Sequence, residues 1–445
     1  MVITVLLVLS VLLIVVFTTR FNLHAFLALI IAALFFGICS RMPLHEVVSS
    51  IERGFGETIG KIGIVIVAGA IIGAFLDKSG GALALAERIL RIIGPKNVTP
   101  AMALIGYIVS IPVFADSGFV ILTPLNKTLT KRAGLSLATT AIALALGLMV
   151  AHTLIPPTPG PIAAAGILEA DLGWVFLIGI PVSIPTLFFC WFWAVKVAGR
   201  VQIDPNPELT EEEFTARQRM APSASHALLP ILIPIVLIVL KSIADYPTHP
   251  LGQNDFYQGI SFVGTPVIAL LIGTGIAMTL PKPFDKSMLS SSGWIGDAMQ
   301  AAAMIILITG AGGAFGMVLQ NSGIADMIGK SVSSMTIGLW LPFTAAAAIR
   351  AAQGSSTVAI IMTASILAPM LASMGLDSSL GRALCVLAIG AGSMVASHAN
   401  DSFFWVVTQM SGMDVKTGYK LMTTGTICMG VLACTIIWII GLIAL

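Results

Sequence analysis

Long apolar stretches alternate with short polar breaks along most of the chain. A membrane-spanning helix needs about 20 predominantly apolar residues, and ten stretches meet this requirement as continuous or interrupted helices. The predicted spans are residues 2–18, 22–40, 59–76, 133–168, 173–199, 226–243, 260–280, 299–319, 384–410 and 421–445. Residues 41–58 are too polar to span and predict a surface segment, whereas residues 79–94 predict an interfacial amphipathic helix. The pattern indicates an all-α polytopic membrane protein.

Two further stretches, residues 99–132 and 339–374, are predicted to be re-entrant hairpins. The first has the polar centre IPVFADSG, and each of its arms has roughly a dozen residues. Such an arm reaches about 18 Å, little more than half of the ~30 Å hydrocarbon core. Basic residues flank this segment on both sides, so we expect the chain to enter and leave the membrane on the same side.

Two of the predicted spans, residues 133–168 and 384–410, are interrupted. The first break reads IPPTPGP, and the second, SHANDS, carries ionisable residues into the membrane. Charged groups at that depth are unfavourable and usually face a cavity. Broken spans at matching places in two halves of a chain point to a transporter binding site.

The two halves of the chain carry a repeat. Residues 68–82 align without gaps to residues 311–325 at an offset of 243, and the broken spans align at an offset of 245. We therefore divide the chain into a first repeat, 1–199, a cytoplasmic linker, 200–225, and a second repeat, 226–445.

The predicted topology inverts the second repeat relative to the first, because each repeat has an odd number of full crossings, five. With the N terminus outside, sixteen Lys and Arg residues fall on the cytoplasmic side and six on the outer side. This bias follows the positive-inside rule. The N and C termini are therefore predicted to be periplasmic, and the two hairpins are predicted to enter the membrane from opposite faces.

Composition supports the membrane assignment and excludes several classes of protein. Of the 445 residues, 57% are hydrophobic and 10% are charged, whereas soluble proteins average about 25% charged residues. The net charge of +2 comes without a basic patch that would bind nucleic acid. The five cysteines are scattered and form no Cys/His cluster for a metal. No cofactor is predicted, since the glycine-rich run at 310–313 follows no strand that would make it a dinucleotide loop.

Polar residues at the hairpin centres and at the breaks are the candidate substrate contacts. They are Ser117, Gly118, Thr158, Arg350, Gln353, Gly354, Ser355, Ser356, Thr357, Asn400 and Ser402. The planar guanidinium of Arg350 suits a carboxylate; the alternatives are a structural ion pair or a side chain that snorkels to the interface. Hydroxyl and backbone N–H groups at a helix start favour an anion, but the same residues could serve only as helix caps.

Four ionisable residues are candidates for proton coupling: Asp116, Asp401, His152 and His398. An aspartate at a dry hairpin tip can hold a proton because burial disfavours its charge, and histidine titrates near neutral pH. The alternatives are helix capping for the aspartates and hydrogen-bonded packing for the histidines. Asp116 is the preferred carrier, since a charged His398 would keep the neighbouring Asp401 ionised.

Four motifs follow one another along the chain: PVFADSGFVIL at 112–122, IPPTPGPIAAA at 155–165, AQGSSTVA at 352–359 and HANDSFFW at 398–405. Together they resemble the gluconate permease family of bacterial proton symporters for sugar acids. The resemblance covers essentially the whole chain. It implies that the protein imports gluconate or a related small hydroxycarboxylate with protons, as a homodimeric elevator. Relatives carry an acid at the place of Asp116, whereas several have a second His where this chain has Thr158.

The sequence thus favours a secondary active transporter of the bacterial inner membrane, not an enzyme. No nucleotide-binding motif supports a primary pump, and opposed hairpins disfavour a channel. One alternative is an intramembrane enzyme with His/Asp chemistry, although no nucleophile and base lie at a useful spacing. Another is a transporter of the same fold for a different substrate, such as D-serine or D-glycerate.

Overall fold

The computed structural model describes residues 2–21, 23–94, 97–205, 221–245, 255–322, 338–398 and 401–444. Every regular element within these ranges is a helix. The longer α-helices are α1 (Val2–Thr19), α2 (Ala25–Cys39), α3 (Leu44–Lys78), α4 (Gly81–Ile93), α5 (Val98–Val109), α6 (Ala115–Arg132), α7 (Leu137–Leu154), α8 (Pro159–Ile167), α9 (Leu172–Lys196), α10 (Ala224–Ala244), α11 (Asp255–Val263), α12 (Pro266–Ala277), α13 (Trp294–Asn321), α14 (Trp340–Gln353), α15 (Ser356–Leu367), α16 (Ser379–Ser393), α17 (Ser402–Met410) and α18 (Thr424–Ala444). The all-helical fold class is confirmed.

Both predicted hairpins and both predicted breaks are helix–break–helix units. The chain leaves the helical conformation after α5 and resumes it at Ala115, within the predicted centre of the first hairpin. In the second hairpin α14 and α15 are separated by Gly354, whose φ of +91° suits glycine, and by Ser355. The first broken span stops at Leu154 and resumes at Pro159. Proline fits that restart because the first turn of a helix leaves its N–H groups unpaired.

The structure adds a bend at two predicted boundaries. Residues 44–58 are helical and mostly exposed, as expected of a surface segment, and they belong to α3, whose parts Leu44–Lys61 and Gly63–Lys78 meet at a bend of 45°. Pairs such as Arg53 and Glu57, four positions apart and 3.6 Å from each other, are compatible with a polar helix face. The predicted span 260–280 is also not one straight helix: α11 and α12 meet at a bend of 65°, and Pro266 starts α12.

The number of membrane crossings stays a prediction. Among the described residues, five helices are long and apolar enough to span a membrane, or up to seven if each of two bent pairs is one span. Ten crossings were predicted, and α2, with 15 residues, is one of the shorter apolar helices. Of the predicted linker, residues 206–220 lie outside the described part of the chain.

The broken spans occupy the centre of the protein. Every residue of α7 is buried, whereas α9 presents Ile184, Phe188 and Phe192 on its outside. A span that is apolar on all sides is expected to lie either inside a bundle or in lipid. Burial therefore separates α7, which is surrounded by protein, from α9, which has one apolar face available to lipid or to another subunit.

Two glycines bring the first arm of each hairpin onto a broken span. A Cβ atom on Gly147 of α7 would lie 2.1 Å from the carbonyl oxygen of Ala103 in α5. A Cβ atom on Gly392 of α16 would lie 2.2 Å from the carbonyl oxygen of Phe343 in α14. Small residues of this kind allow helices in membranes to approach closely. The first arm of each hairpin therefore contacts a broken span closely at a glycine.

Candidate substrate site

A cavity of about 230 Å³ lies where the two hairpins and the second broken span meet. Its polar and ionisable lining residues are Asp116, His152, Arg350, Ser355, Ser356, Thr357, Asp401 and Ser402. These side chains come from α6, α7, α14, α15 and the start of α17. Asp116 and Ser355 are 239 positions apart in the sequence, yet both line this one space.

Arg350 is buried, with 1% of its surface exposed, and it forms an ion pair with Asp401 through its Nη2 atom. This burial excludes a side chain that snorkels to the interface. Its Nε and Nη1 atoms are also buried, and neither has a hydrogen-bond partner among the described residues. Buried donors are normally paired. The unpaired Nε and Nη1 groups of this guanidinium therefore indicate a place where a ligand binds.

Asp401 is held from three directions. It accepts hydrogen bonds from the Arg350 guanidinium and the Ser397 hydroxyl, and its Oδ1 atom accepts one from the backbone N–H of Phe403 at 3.0 Å. The last contact makes it the N-cap of α17. Asp401 is therefore both the counter-ion of Arg350 and the N-cap of α17, the helix that follows the break. The second role is the capping alternative that the sequence offered for this aspartate.

Asp116 lies in the first turn of α6, at the tip of the first hairpin. The Ser402 hydroxyl donates a hydrogen bond to its Oδ2 atom at 3.0 Å. This contact joins the first hairpin to the second broken span across 286 positions of sequence. Asp116 thus faces the cavity together with Arg350, without pairing to it directly.

The two candidate histidines differ in their surroundings. His152 lines the cavity, is 6% exposed, and its Nδ1 atom has no hydrogen-bond partner in the described ranges. His398 is outside the cavity lining: its Nε2 atom is 2.9 Å from the carbonyl oxygen of Ala351, and its ring stacks on Tyr419. His398 therefore fits the alternative role of hydrogen-bonded packing. His152 lines the cavity, where a role in proton transfer is compatible with its position.

At the tip of the second hairpin, some residues cap the turn and others line the cavity. The Gln353 Oε1 atom accepts a hydrogen bond from the backbone N–H of Ser355 at 2.8 Å, and the Ser355 hydroxyl accepts one from Val358 at 3.4 Å. Gln353 and Gly354 shape the turn and do not line the cavity, whereas Ser355, Ser356 and Thr357 do. Ser355 has both functions.

Three other candidates face away from the cavity. Ser117 lines a second, separate space beside α3 and the start of α13. Gly118 packs against Leu148, which would lie 2.8 Å from an added Cβ atom. The Thr158 hydroxyl donates to the carbonyl oxygen of Ile155 at 2.7 Å and is buried within its own break. Asn400, the remaining candidate, lies outside the described residues.

The apolar wall of the cavity was not predicted. It consists of Phe114, Met149, Ile305, Ile308, Val358, Ile361 and Phe403, together with Ala115. Ile305 and Ile308 belong to α13, which reads as a uniformly apolar span. No local signal distinguishes these two isoleucines from neighbours on the same helix that pack elsewhere.

A polar cluster outside the cavity joins two helices to the turn that follows α8. Lys61 of α3 donates to Glu169 Oε1 at 2.6 Å, and Arg382 of α16 lies 3.4 Å from Glu169 Oε2. The Lys61 ammonium, with Arg382 second, holds the pKa of Glu169 below its usual range. Since Lys61 and Glu169 are largely exposed, their contribution to stability is small.

Comparison with known proteins identifies the family. A family profile described as "GntP family permease" matches residues 1–443. The chain belongs to the GntP permease family. It is 35% identical to a "Gluconate permease" of Pseudomonas aeruginosa over 435 residues, which cover 96% of this chain and 95% of that protein. It is also 35% identical to the "Inner membrane permease YgbN" of Escherichia coli K12, over 94% of this chain and 93% of the relative.

A solved structure supports the fold of this GntP family member. The crystal structure of the Alcanivorax borkumensis YdaH transporter, described as having an unusual topology, superposes with a TM-score of 0.65. The match covers 90% of this chain and 89% of that one, at 15% identity. The family match and the relatives, which include an inner membrane permease, make the protein a permease of the bacterial inner membrane and not an enzyme.

Proposed function

We propose that this permease imports gluconate or a closely related sugar acid by proton symport. The observation that carries the proposal is Arg350, whose Nε and Nη1 atoms are buried without a partner among the described residues, at a cavity lined by hydroxyl groups. The similarity to the gluconate permease of Pseudomonas aeruginosa supports a sugar acid as substrate. A monocarboxylate that carries several hydroxyl groups matches both parts of the cavity.

The carboxylate is assigned to Arg350. Its Nη2 atom is engaged by Asp401, whereas its Nε and Nη1 atoms, which lie on different sides of the guanidinium, are each available to donate a hydrogen bond to a substrate oxygen. Charge-assisted hydrogen bonds of this kind are shorter and stronger than bonds between neutral groups. The Ser355 and Ser356 hydroxyls and the N terminus of α15 add donors on the same side.

The remainder of the substrate is assigned to the hydroxyl groups and the apolar wall. Thr357 and Ser402 line the cavity and can exchange hydrogen bonds with substrate hydroxyls. Ile305 and Ile308 also line the cavity and offer an apolar surface for the C–H groups of the substrate. Pockets for small molecules generally combine an apolar lining with a few placed polar groups.

Proton coupling is assigned to Asp116. It faces the same cavity as Arg350 and has one hydroxyl donor, Ser402, at 3.0 Å. A bound anion nearby favours the protonated acid, and by linkage the proton then tightens substrate binding by the same factor. Asp401 is less suited to this role because Arg350, Ser397 and Phe403 already occupy its oxygens.

An elevator of two inverted repeats is the proposed transport movement. The matching crossings at Gly147 and Gly392, 245 positions apart, support the repeat. Hairpins and broken spans would move, while residues 2–40, 173–199 and their counterparts would form a static scaffold and a homodimer contact. The exposed apolar face of α9 supports this division.

The contact between Tyr107 of α5 and Ser183 of α9 would have to break in such a movement. Their hydroxyl oxygens are 2.6 Å apart, and they join the proposed moving and static parts. A Tyr107→Cys/Ser183→Cys protein, once cross-linked, is expected to lose gluconate uptake and to regain it on reduction. Each single-cysteine variant is the control. Full uptake by the cross-linked form would contradict the proposed division.

Transport itself is tested with the purified protein in proteoliposomes. We expect radiolabelled gluconate to accumulate above equilibrium under an inward proton gradient and to leak out when a protonophore is added. Competition by unlabelled D-serine or D-glycerate tests the alternative substrates. Chemical conversion of gluconate by the protein without accumulation would instead support the enzyme alternative and overturn the proposal.

A further inference from the structure

A second cavity lies beside the substrate cavity at the tip of the first hairpin. It has a volume of about 200 Å³. Of the residues at this tip, Asp116 lines the substrate cavity, Ser117 lines the second cavity, and Phe114 lines both. The remaining wall of the second cavity comes from α3, from the turn before α6 and from the start of α13. The two spaces therefore share one side chain as a common wall.

α13 runs along both cavities with a single face. Asp297 and Ala301 line the second cavity, whereas Ile305 and Ile308 line the substrate cavity. Residues three or four positions apart lie on the same side of an α-helix, and four residues advance about 6 Å along its axis. The two cavities therefore follow one another along α13, about one helical turn apart.

Phe114 is the part of the barrier that can move with the least rearrangement. Its side chain is half-buried, and its ring centroid is 6.2 Å from that of His152, which lines the substrate cavity. The backbone just before it is packed closely: a Cβ atom on Gly73 of α3 would lie 2.3 Å from the carbonyl oxygen of Pro112. A change of rotamer moves an aromatic ring without moving the backbone. Rotation of the Phe114 side chain would therefore join the two cavities while the turn stays in contact with α3.

Charged residues surround the end of the second cavity that is farther from the substrate cavity. Lys78 of α3 forms an ion pair with Asp297 of α13, and Asp77 lies next to Lys78 in the same lining. The side chains of the pair are 33% and 59% exposed, so water reaches them. The positive-inside rule predicts that Lys78 lies on the cytoplasmic side. This end of the second cavity is thus the end expected to face the cytoplasm.

We propose that the second cavity is the cytoplasmic end of the substrate route, and that the Phe114 side chain closes it from the substrate cavity. When Phe114 turns aside, the two cavities form one passage along α13, and a gluconate-like anion passes the tip of the first hairpin. The Ser117 hydroxyl lies on this route and can exchange a hydrogen bond with a substrate hydroxyl. This inference rests on the proposed function, because it takes the first cavity to hold a transported sugar acid.

Two cysteine reporters on α13 test this route from the two sides of Phe114. Ala301→Cys reports on the second cavity, and Ile305→Cys reports on the substrate cavity. Each is placed in a protein whose exposed Cys39 and Cys428 are replaced by serine; the other three cysteines are buried. A membrane-impermeant maleimide is added to inverted vesicles to reach the cytoplasmic face, or to spheroplasts to reach the outer face.

We expect Ala301→Cys to react from the cytoplasmic face at least roughly tenfold faster than Ile305→Cys, which corresponds to about 1.4 kcal/mol in favour of the closed position of Phe114. Phe114→Ala should remove most of this difference by raising the rate of Ile305→Cys from that face. Gluconate should then slow the reaction again, because it occupies the substrate cavity.

Two matched variants show whether the effect belongs to the ring of Phe114. Phe114→Leu keeps a bulky side chain and should leave Ile305→Cys slow to react. Phe188→Ala removes an exposed phenylalanine of α9 that lines neither cavity, and it should also leave the rate unchanged. Thermal unfolding of each variant shows that it is folded.

Reaction of Ala301→Cys from the outer face alone would overturn the cytoplasmic placement of the second cavity. An unchanged rate for Ile305→Cys in folded Phe114→Ala would overturn Phe114 as the barrier. If Phe114→Ala does not fold, equal rates for the two reporters with Phe114 in place would overturn it instead. Labelling is read without transport, so an absence of gluconate accumulation by the native protein refutes the proposed function separately.

Discussion

Arg350→Lys is expected to raise the Kd for gluconate roughly 10–150-fold, because charge-assisted hydrogen bonds contribute about 1.5–3 kcal/mol each. Lysine keeps the positive charge and so can still neutralise Asp401, the buried partner of Arg350. It cannot place separate N–H donors at the positions of the Nε and Nη1 atoms while it also pairs with Asp401. The loss should therefore fall on substrate binding more than on folding.

Titration of the detergent-purified variant with gluconate by calorimetry measures this effect. Arg382→Lys is the matched control, since that arginine lies at the surface cluster with Glu169, outside the cavity, and its Kd should be unchanged. Thermal unfolding of both variants shows whether each is folded. A native Kd in folded Arg350→Lys would refute the carboxylate assignment and return Arg350 to a purely structural ion pair.

Asp116→Asn is expected to abolish proton-driven accumulation of gluconate while gluconate exchange continues. The amide is close in shape to a protonated carboxyl and keeps an oxygen that can accept the hydrogen bond from Ser402, which is 3.0 Å from Asp116 Oδ2 in the native protein. The site should therefore still bind substrate and move, but it can no longer release the proton that couples transport to the gradient.

Uptake after a pH jump and counterflow exchange, measured in the same vesicles, separate these two activities. Asp414→Asn is the control: Asp414 caps a short helix at the surface through the N–H of Thr417, asparagine caps equally well, and both activities should persist. Continued accumulation by Asp116→Asn would transfer the coupling role to another group. If Asp116→Asn also lost gluconate exchange, this would count against a coupling role of Asp116 that is separate from substrate binding.

The helical fold, the hairpins and the breaks could be predicted from sequence because their signals are local. Apolar length predicts a span, and proline, glycine and polar residues within an apolar stretch predict where the helix stops. Thus the sequence IPVFADSG placed the turn before α6, and AQGSS placed the turn between α14 and α15. Polarity alone does not end a helix, since the exposed residues 44–58 are the first part of α3, which then bends by 45°.

The sequence predicted only some of the residues that line the cavity. Ser355, Ser356, Thr357 and Ser402 line it together with Arg350, whereas Ser117 and Thr158, chosen by the same criteria, do not. Neighbouring residues on a helix point in directions about 100° apart. Polarity at a hairpin tip therefore selects a short segment, and only the orientation of the helix decides which of its side chains reaches the cavity.

By itself, the sequence determined the class of protein, the places where its helices break and the presence of an arginine among apolar residues near one break. Tertiary structure decided that Asp401 pairs with Arg350, that Asp116 meets Ser402 across 286 positions, and that α13 contributes Ile305 and Ile308 to the apolar wall. The physical reason is that helix breaks arise from backbone preferences within a few residues, whereas ion pairs and cavity walls depend on how distant helices pack. The free guanidinium atoms of Arg350 follow from that packing.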